Sequence, residues 1–152
     1  MKRTRMDEAD CPIARTLDVV GDWWSLLIVR DAFLGRRRFG EFQKSLDIAR
    51  NMLSARLKAL VAEGILQSVP AADGSAFNDY ELTEKGRDLF PIIVALRQWG
   101  EKHQYAPGEA FPPLVDTAYG RPLAPLEVRD AEGHVLSAQQ TRLILPAVPQ
   151  GA

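Results

Sequence analysis

A mainly α fold with a small β wing (α+β) is predicted by three features of this 152-residue sequence. Apolar residues recur at helical spacing in successive blocks up to Glu63. A turn-rich stretch from Pro70 to Asp79 then separates two short segments of strand character. Finally, an apolar stripe returns at spacings of three and four between Leu89 and His103.

The first helix is expected to start at Asp10-Cys11-Pro12, because proline tolerates the first helical position and a short polar residue before it can cap. It runs to Val20, where Gly21 is expected to supply a left-handed stop and Asp22 to cap the next helix. From Trp23 to Leu34 apolar residues surround nearly the whole helical circumference, as in a helix at the centre of a core, and Gly35 ends it. Phe39, Phe42 and Leu46 then mark one face of a short helix, followed by a turn at Asp47-Ile48-Ala49.

The segment from Arg50 to Glu63 has two faces. Leu53, Leu57, Leu60 and Val61 fall on one side, and Arg50, Asn51, Ser54, Ala55 and Lys58 on the other. A short helix, a tight turn and a longer helix with an apolar inner stripe make a helix-turn-helix, whose second helix enters the major groove of duplex DNA. Gly64 closes that helix, and Ile65–Val69 and Tyr80–Leu82 form a hairpin that serves as the wing. Thr83 caps a last helix predicted to run to about Gln104 and to bend at Pro91. Its stripe of Leu89, Ile92, Ile93, Leu96, Trp99 and His103 exceeds what one side of a three-helix core needs, so a homodimer across a two-fold axis is expected.

From Tyr105 the sequence turns rich in proline and glycine. Leu123–Arg129, Asp130–Gly133 and His134–Leu136 read as strand, turn and strand, with Thr141–Leu145 as a further strand. The organisation predicted is an N-terminal arm over 1–8, a winged helix-turn-helix over 9–104 and a small C-terminal β extension over 105–152. So short an extension cannot bury a core of its own.

A net charge of −1 argues against a histone-like mode of binding, but charge is segregated along the chain. Between residues 36 and 58 seven basic residues face only Glu41 and Asp47, an excess of about +5. After residue 100 the balance is about −2. Arginine pairs bidentately with guanine, asparagine with adenine, and lysine with phosphate, so Arg50, Asn51, Ser54, Ala55 and Lys58 are the groove-contact candidates. Arg56 flanks the buried face, where a phosphate clamp and an internal salt bridge are both open. Arg36, Arg37 and Arg38 are candidate phosphate ligands beside the reading helix, and Ser75 and Asn78 are the wing candidates. Lys2, Arg3 and Arg5 read as a frayed, solvated arm.

The single cysteine, Cys11, excludes an internal disulfide and an intrachain thiolate cage, and His103 and His134 lack metal spacing, so neither metal nor cofactor is expected. Cys11 sits at a helix N-terminus, where free N–H groups favour the thiolate, while Glu8 and Asp10 oppose it, and an inert, semi-buried thiol is the reading favoured by the residues alone. Trp23, Trp24, Phe33 and Trp99 read as core, or as the wall of a pocket for a planar effector. No nucleophile stands by a base, and no pair of carboxylates is placed for catalysis, so an enzyme is not expected. No apolar run approaches the roughly 20 residues of a membrane span, and the Met-Lys-Arg-Thr-Arg start leads into acidic residues, so a cytoplasmic location without membrane contact is expected.

Several segments in order resemble the HxlR family of bacterial winged-helix regulators. They are Cys11-Pro-Ile-Ala, Gly21-Asp-Trp-Trp24-Ser-Leu-Leu-Ile, Arg38-Phe-Gly-Glu-Phe42, Asn51-Met-Leu-Ser-Ala-Arg-Leu57, Leu60, Glu63-Gly-Ile-Leu66 and Tyr80-Glu-Leu-Thr-Glu-Lys-Gly86. The resemblance covers residues 9 to 103 and implies a homodimer, joined through its terminal helices, that represses or activates nearby genes in response to a chemical signal. It also implies that the cysteine at position 11 can sense oxidants or electrophiles, as in some relatives. Two departures stand out. Ala49 replaces the usual serine cap of the recognition helix, and Trp23 stands where a basic or small polar residue is common. The partners expected are a pseudo-palindromic DNA duplex, a second copy and a small-molecule effector. The rival reading is a protein-interaction or ligand-sensing module that has lost specific DNA binding.

Overall fold

The computed structural model describes residues 5–145. The chain divides into two compact units, Met1–Val94 and Ala95–Ala152. The first contains helices α1 (Pro12–Val20), α2 (Trp23–Phe33), α3 (Phe39–Leu46) and α4 (Arg50–Ala62), strands β1 (Leu66–Pro70) and β2 (Asn78–Leu82), and the short helix α5 (Glu84–Arg87). Helix α6 (Phe90–His103) begins in the first unit and ends in the second. The winged helix-turn-helix predicted from the sequence is present, with an antiparallel two-stranded wing pairing Leu66 with Leu82 and Pro70 with Asn78.

The core of the first unit is built from Val20, Ile28, Val29, Phe42, Ile48, Leu53, Leu57, Leu60, Ile65, Leu66 and Leu89. Phe42 is fully buried and is the largest of these. Asp22 caps α2 as expected, accepting a hydrogen bond from the Ser25 N–H at 2.9 Å. Trp23 and Leu34, at or just past the ends of α2, are exposed, so the apolar girdle is buried only through its middle.

Gly21 does not form the left-handed stop the sequence suggested. Its backbone is right-handed, at φ −75° and ψ −12°, and donates to the Leu17 carbonyl at 2.8 Å. Space is the reason for glycine there: a Cβ would collide with the Leu17 carbonyl oxygen. Cys11 stands at the N-cap of α1 without a side-chain cap bond, so Pro12 alone marks that helix start.

The long last helix is interrupted, not bent. α5 ends at Arg87, and α6 starts at Phe90 after Asp88 and Leu89. Pro91 cannot donate to the Arg87 carbonyl and its ring would press on that oxygen, which breaks the ladder at this point. Thr83 caps only α5, accepting from the Gly86 N–H at 3.0 Å. Gly86 in turn lies so close to β1 that a Cβ would strike the Ile65 carbonyl.

In the second unit the predicted strands are not formed. The described residues carry two isolated β-bridges, Val115 with Pro122 and Arg129 with Val135, and a single 3-10 turn at Ala138–Gln140. Pro125 removes a donor that a ladder over Leu123–Arg129 would need. The backbone is satisfied locally instead. Gln98 donates to the Ala124 carbonyl at 3.0 Å and accepts from the Leu126 N–H at 2.7 Å, standing in for a partner strand. The turn at Asp130–Gly133 is present, held by the Asp130 carboxylate accepting from the Glu132 and His134 N–H groups, both at 2.9 Å.

Candidate nucleic-acid interface

The site is positioned by the turn between α3 and α4. Asp47 adopts a left-handed conformation at φ 49°, which turns the chain, and Ile48 anchors the turn by inserting its side chain into the core. Leu53, Leu57 and Leu60 then pin α4 to the core from behind. Arg50, Asn51, Ser54, Ala55 and Lys58 are all exposed, on the opposite face. The Arg50 guanidinium carbon lies over the ring of Phe39, 5.5 Å from its centroid, so the head of that side chain rests against α3. Ala49 occupies the N-cap of α4 and offers no capping oxygen, which leaves N–H groups of the first turn open to an anion.

Arg56 is turned away from that face. Its Nε lies 3.5 Å from Asp22 Oδ1, so it links α4 to the cap of α2 as an internal ion pair. The pair borders a cleft of about 220 Å³, also lined by Arg5, Asp18, Ser25 and Glu63.

Each member of the arginine run is matched to a carboxylate. Arg36 lies 3.7 Å from the fully buried Asp31, which Arg30 also meets at 2.8 Å. Arg37 pairs with Glu81 and lies 3.5 Å from Asp79. Arg38 reaches Asp73 at 2.6 Å and Asp79 at 3.2 Å. Asp73 is held near pH 2, well below the usual carboxylate range, by the Ser75 N–H and then by the Arg38 guanidinium. The excess of about five positive charges between residues 36 and 58 is therefore offset by Asp22, Asp31, Asp73, Asp79 and Glu81, all drawn from outside that stretch. Of the seven basic residues between 36 and 58, Arg36, Arg37, Arg38 and Arg56 are paired with carboxylates, and Lys44, Arg50 and Lys58 carry no such pair among the described residues. Linear counting missed these acids. Asp79 stands opposite Val69 in the wing, and only the folded hairpin brings it to the arginines.

The wing tip presents Ser75 and Asn78, both exposed, and Phe77, which is 74% exposed and carries no obvious signal in the sequence. Of the aromatic candidates, Trp23 and Trp24 meet edge to face at 5.8 Å, with Trp23 72% exposed and Trp24 packed against the core. Phe33 instead meets Phe90 at 5.3 Å, and Trp99 belongs to the second unit, where it contacts His103 at 5.2 Å. The predicted dimer stripe divides: Leu89 and Ile93 pack against the core of the first unit, while Ile92, Leu96, Trp99 and His103 are exposed. Cys11 is exposed. Lys2 and Arg3 lie outside the described residues, whereas Arg5 meets Asp7 at 3.1 Å and Asp18 at 3.4 Å. Among the described residues no cluster of His, Cys, Asp and Glu is placed to hold a metal, and no helix is long and apolar enough to cross a membrane.

Comparison with known proteins places this geometry among regulators. The family model for HxlR-like helix-turn-helix proteins matches residues 19–107. The uncharacterized HTH-type transcriptional regulator Rv3095 of Mycobacterium tuberculosis is 46% identical over 102 residues, 67% of this chain and 63% of that protein. The chain thus spans less than two thirds of that mycobacterial relative. YdeP of Bacillus subtilis, an uncharacterized HTH-type transcriptional regulator, is 33% identical over 64% of this chain and 77% of its own. The crystal structure of PA1607, a candidate transcription factor, has a TM-score of 0.88 at 53% identity, covering 91% of this chain and 97% of that one. The redox regulator HypR in its oxidized form has a TM-score of 0.57 at 34% identity, covering 63% of this chain and 100% of that one.

Proposed function

This chain belongs to the HxlR-like helix-turn-helix family of transcriptional regulators, and on that premise we propose that it binds a specific DNA duplex as a homodimer and changes its grip in response to a small-molecule or redox signal. The observation that carries the reading is the outer face of α4. Arg50, Asn51, Ser54, Ala55 and Lys58 are exposed together on a helix whose inner leucines fix it in the core. Arg50 and Asn51 supply base readout, Lys58 and the open N–H groups of the first turn supply phosphate contacts, and Ser75 and Asn78 approach from the wing. The exposed apolar side chains of α6, Ile92, Leu96 and Trp99, are the surface through which a second copy joins.

The test is a footprint on the promoter beside its own gene. A protected pseudo-palindrome with half-sites about 34–36 Å apart is expected. Protection of a single half-site, or none, defeats the dimeric reading.

The redox part of the reading draws on the similarity to HypR and on the exposure of Cys11. Oxidant is expected to change operator affinity in the wild type and to leave Cys11→Ser unchanged. Equal responses in the two proteins remove Cys11 as the sensor.

A further inference from the structure

Arg37 and Arg38 look like phosphate ligands in the sequence, but their surroundings are those of a joint. Arg38 is the N-cap residue of α3, and its guanidinium spans two acids of the hairpin: Nη2 meets Asp73 Oδ2 at 2.6 Å, and Nε meets Asp79 Oδ1 at 3.2 Å. Arg37 grips the same hairpin through Glu81 and through Asp79 Oδ2 at 3.5 Å. Its carbonyl also accepts the Tyr80 N–H at 2.7 Å. The Asp79 side chain is only 7% exposed, a carboxylate enclosed between two guanidinium groups.

We propose that Arg37 and Arg38 are positioning residues of the DNA interface: by holding Asp73, Asp79 and Glu81 they fix the wing relative to α4 and do not themselves neutralise phosphate. Two physical arguments support this. An isolated two-stranded hairpin is marginally stable, so a wing of two five-residue strands needs an external hold to keep one orientation. A phosphate that captured Arg38 would also displace carboxylates already making charge-assisted bonds, leaving the buried Asp79 with Arg37 alone and baring Asp73 beside the duplex. Held in place, the hairpin instead presents Ser75, Phe77 and Asn78 with its acids neutralised.

The proposal rests on the DNA-binding reading, and its test separates the two. Asp73→Asn and Arg38→Gln are compared with wild type in affinity for a duplex taken from the footprinted promoter, in the salt dependence of that affinity, and in amide hydrogen exchange without DNA. Asp73 is well exposed, so its variant leaves the core untouched. Arg38→Gln is expected to weaken binding about tenfold and Asp73→Asn by less, the double variant no more than Arg38→Gln alone, because Asp73 meets the body of the protein through Arg38. The slope of log affinity against log salt should not change, and exchange at the Tyr80 N–H and its hairpin neighbours should accelerate while α4 stays protected. A phosphate ligand behaves otherwise. Arg38→Gln would lower the slope by about one, and Asp73→Asn would tighten binding by freeing an arginine. Either result overturns the proposal, as does unchanged exchange in both variants. If wild type binds no duplex, the DNA reading falls, and hairpin exchange alone decides whether the joint exists.

Discussion

Alanine at Asn51 is expected to weaken binding to the specific operator by about ten- to a hundredfold, while binding to unrelated duplex stays nearly constant. The residue stands in the first turn of α4, exposed, between Arg50 and the core residue Leu53. An amide side chain at such a point pairs bidentately with adenine, an interaction worth about 1–3 kcal/mol of discrimination, and each 1.4 kcal/mol is tenfold in affinity. Asn51→Ala removes that pairing without touching the inner leucines. Fluorescence anisotropy with the operator and with a scrambled duplex measures both quantities. An equal loss on the two duplexes would make Asn51 a backbone contact and not a reader of sequence.

The second large effect is on stability. Phe42→Ala is expected to cost about 3–5 kcal/mol, since an aromatic ring is lost from a site that cannot collapse. Phe42 is fully buried in α3, in the same cluster as Ile28 and Val29 of α2 and Leu53 and Leu57 of α4, so its cavity would open between the helices that hold the site. Urea unfolding followed by tryptophan fluorescence should show a lower midpoint with an unchanged slope. A loss below about 1 kcal/mol would mean that α3 is not packed as described. The same variant should also bind operator poorly at temperatures where its folded fraction falls, and recover on cooling.

Much of the fold is written in local pattern. Leu53, Leu57 and Leu60 announce the inner face of α4 by spacing alone, and what remained on the other side was the candidate interface. Asp22 capped the helix it preceded, and the turn-rich stretch between Pro70 and Asp79 separated two strands. What pattern could not carry was distance along the chain. Arg38 and Asp73 lie 35 residues apart, and Arg37 and Glu81 44, so a window around the arginines counts their charge and omits its partners. The basic run therefore reads as unpaired charge from the sequence alone.

Other differences have equally specific causes. Pro91 predicts a bend from the sequence, and the missing N–H together with the crowding at Arg87 makes it a break. At Gly21 the sequence suggests a backbone reason for glycine, whereas the structure shows the need for room beside the Leu17 carbonyl. The segments expected as strands after Tyr105 meet only at the Arg129–Val135 bridge, because alternation does not show how far a ladder can extend. There, a glutamine side chain and aspartate-capped turns take the place of a partner strand.

The central claim is that the exposed side of α4 meets a phosphate-lined groove. Its most direct test is the affinity of the wild-type protein for the footprinted duplex across rising salt. Neutralised phosphates release counterions, so log affinity should fall linearly with log salt, by roughly 0.9 for each phosphate contacted. With several contacts, a steep line is the predicted result. A nearly flat line would point to an apolar protein interface on this face and would contradict the assignment.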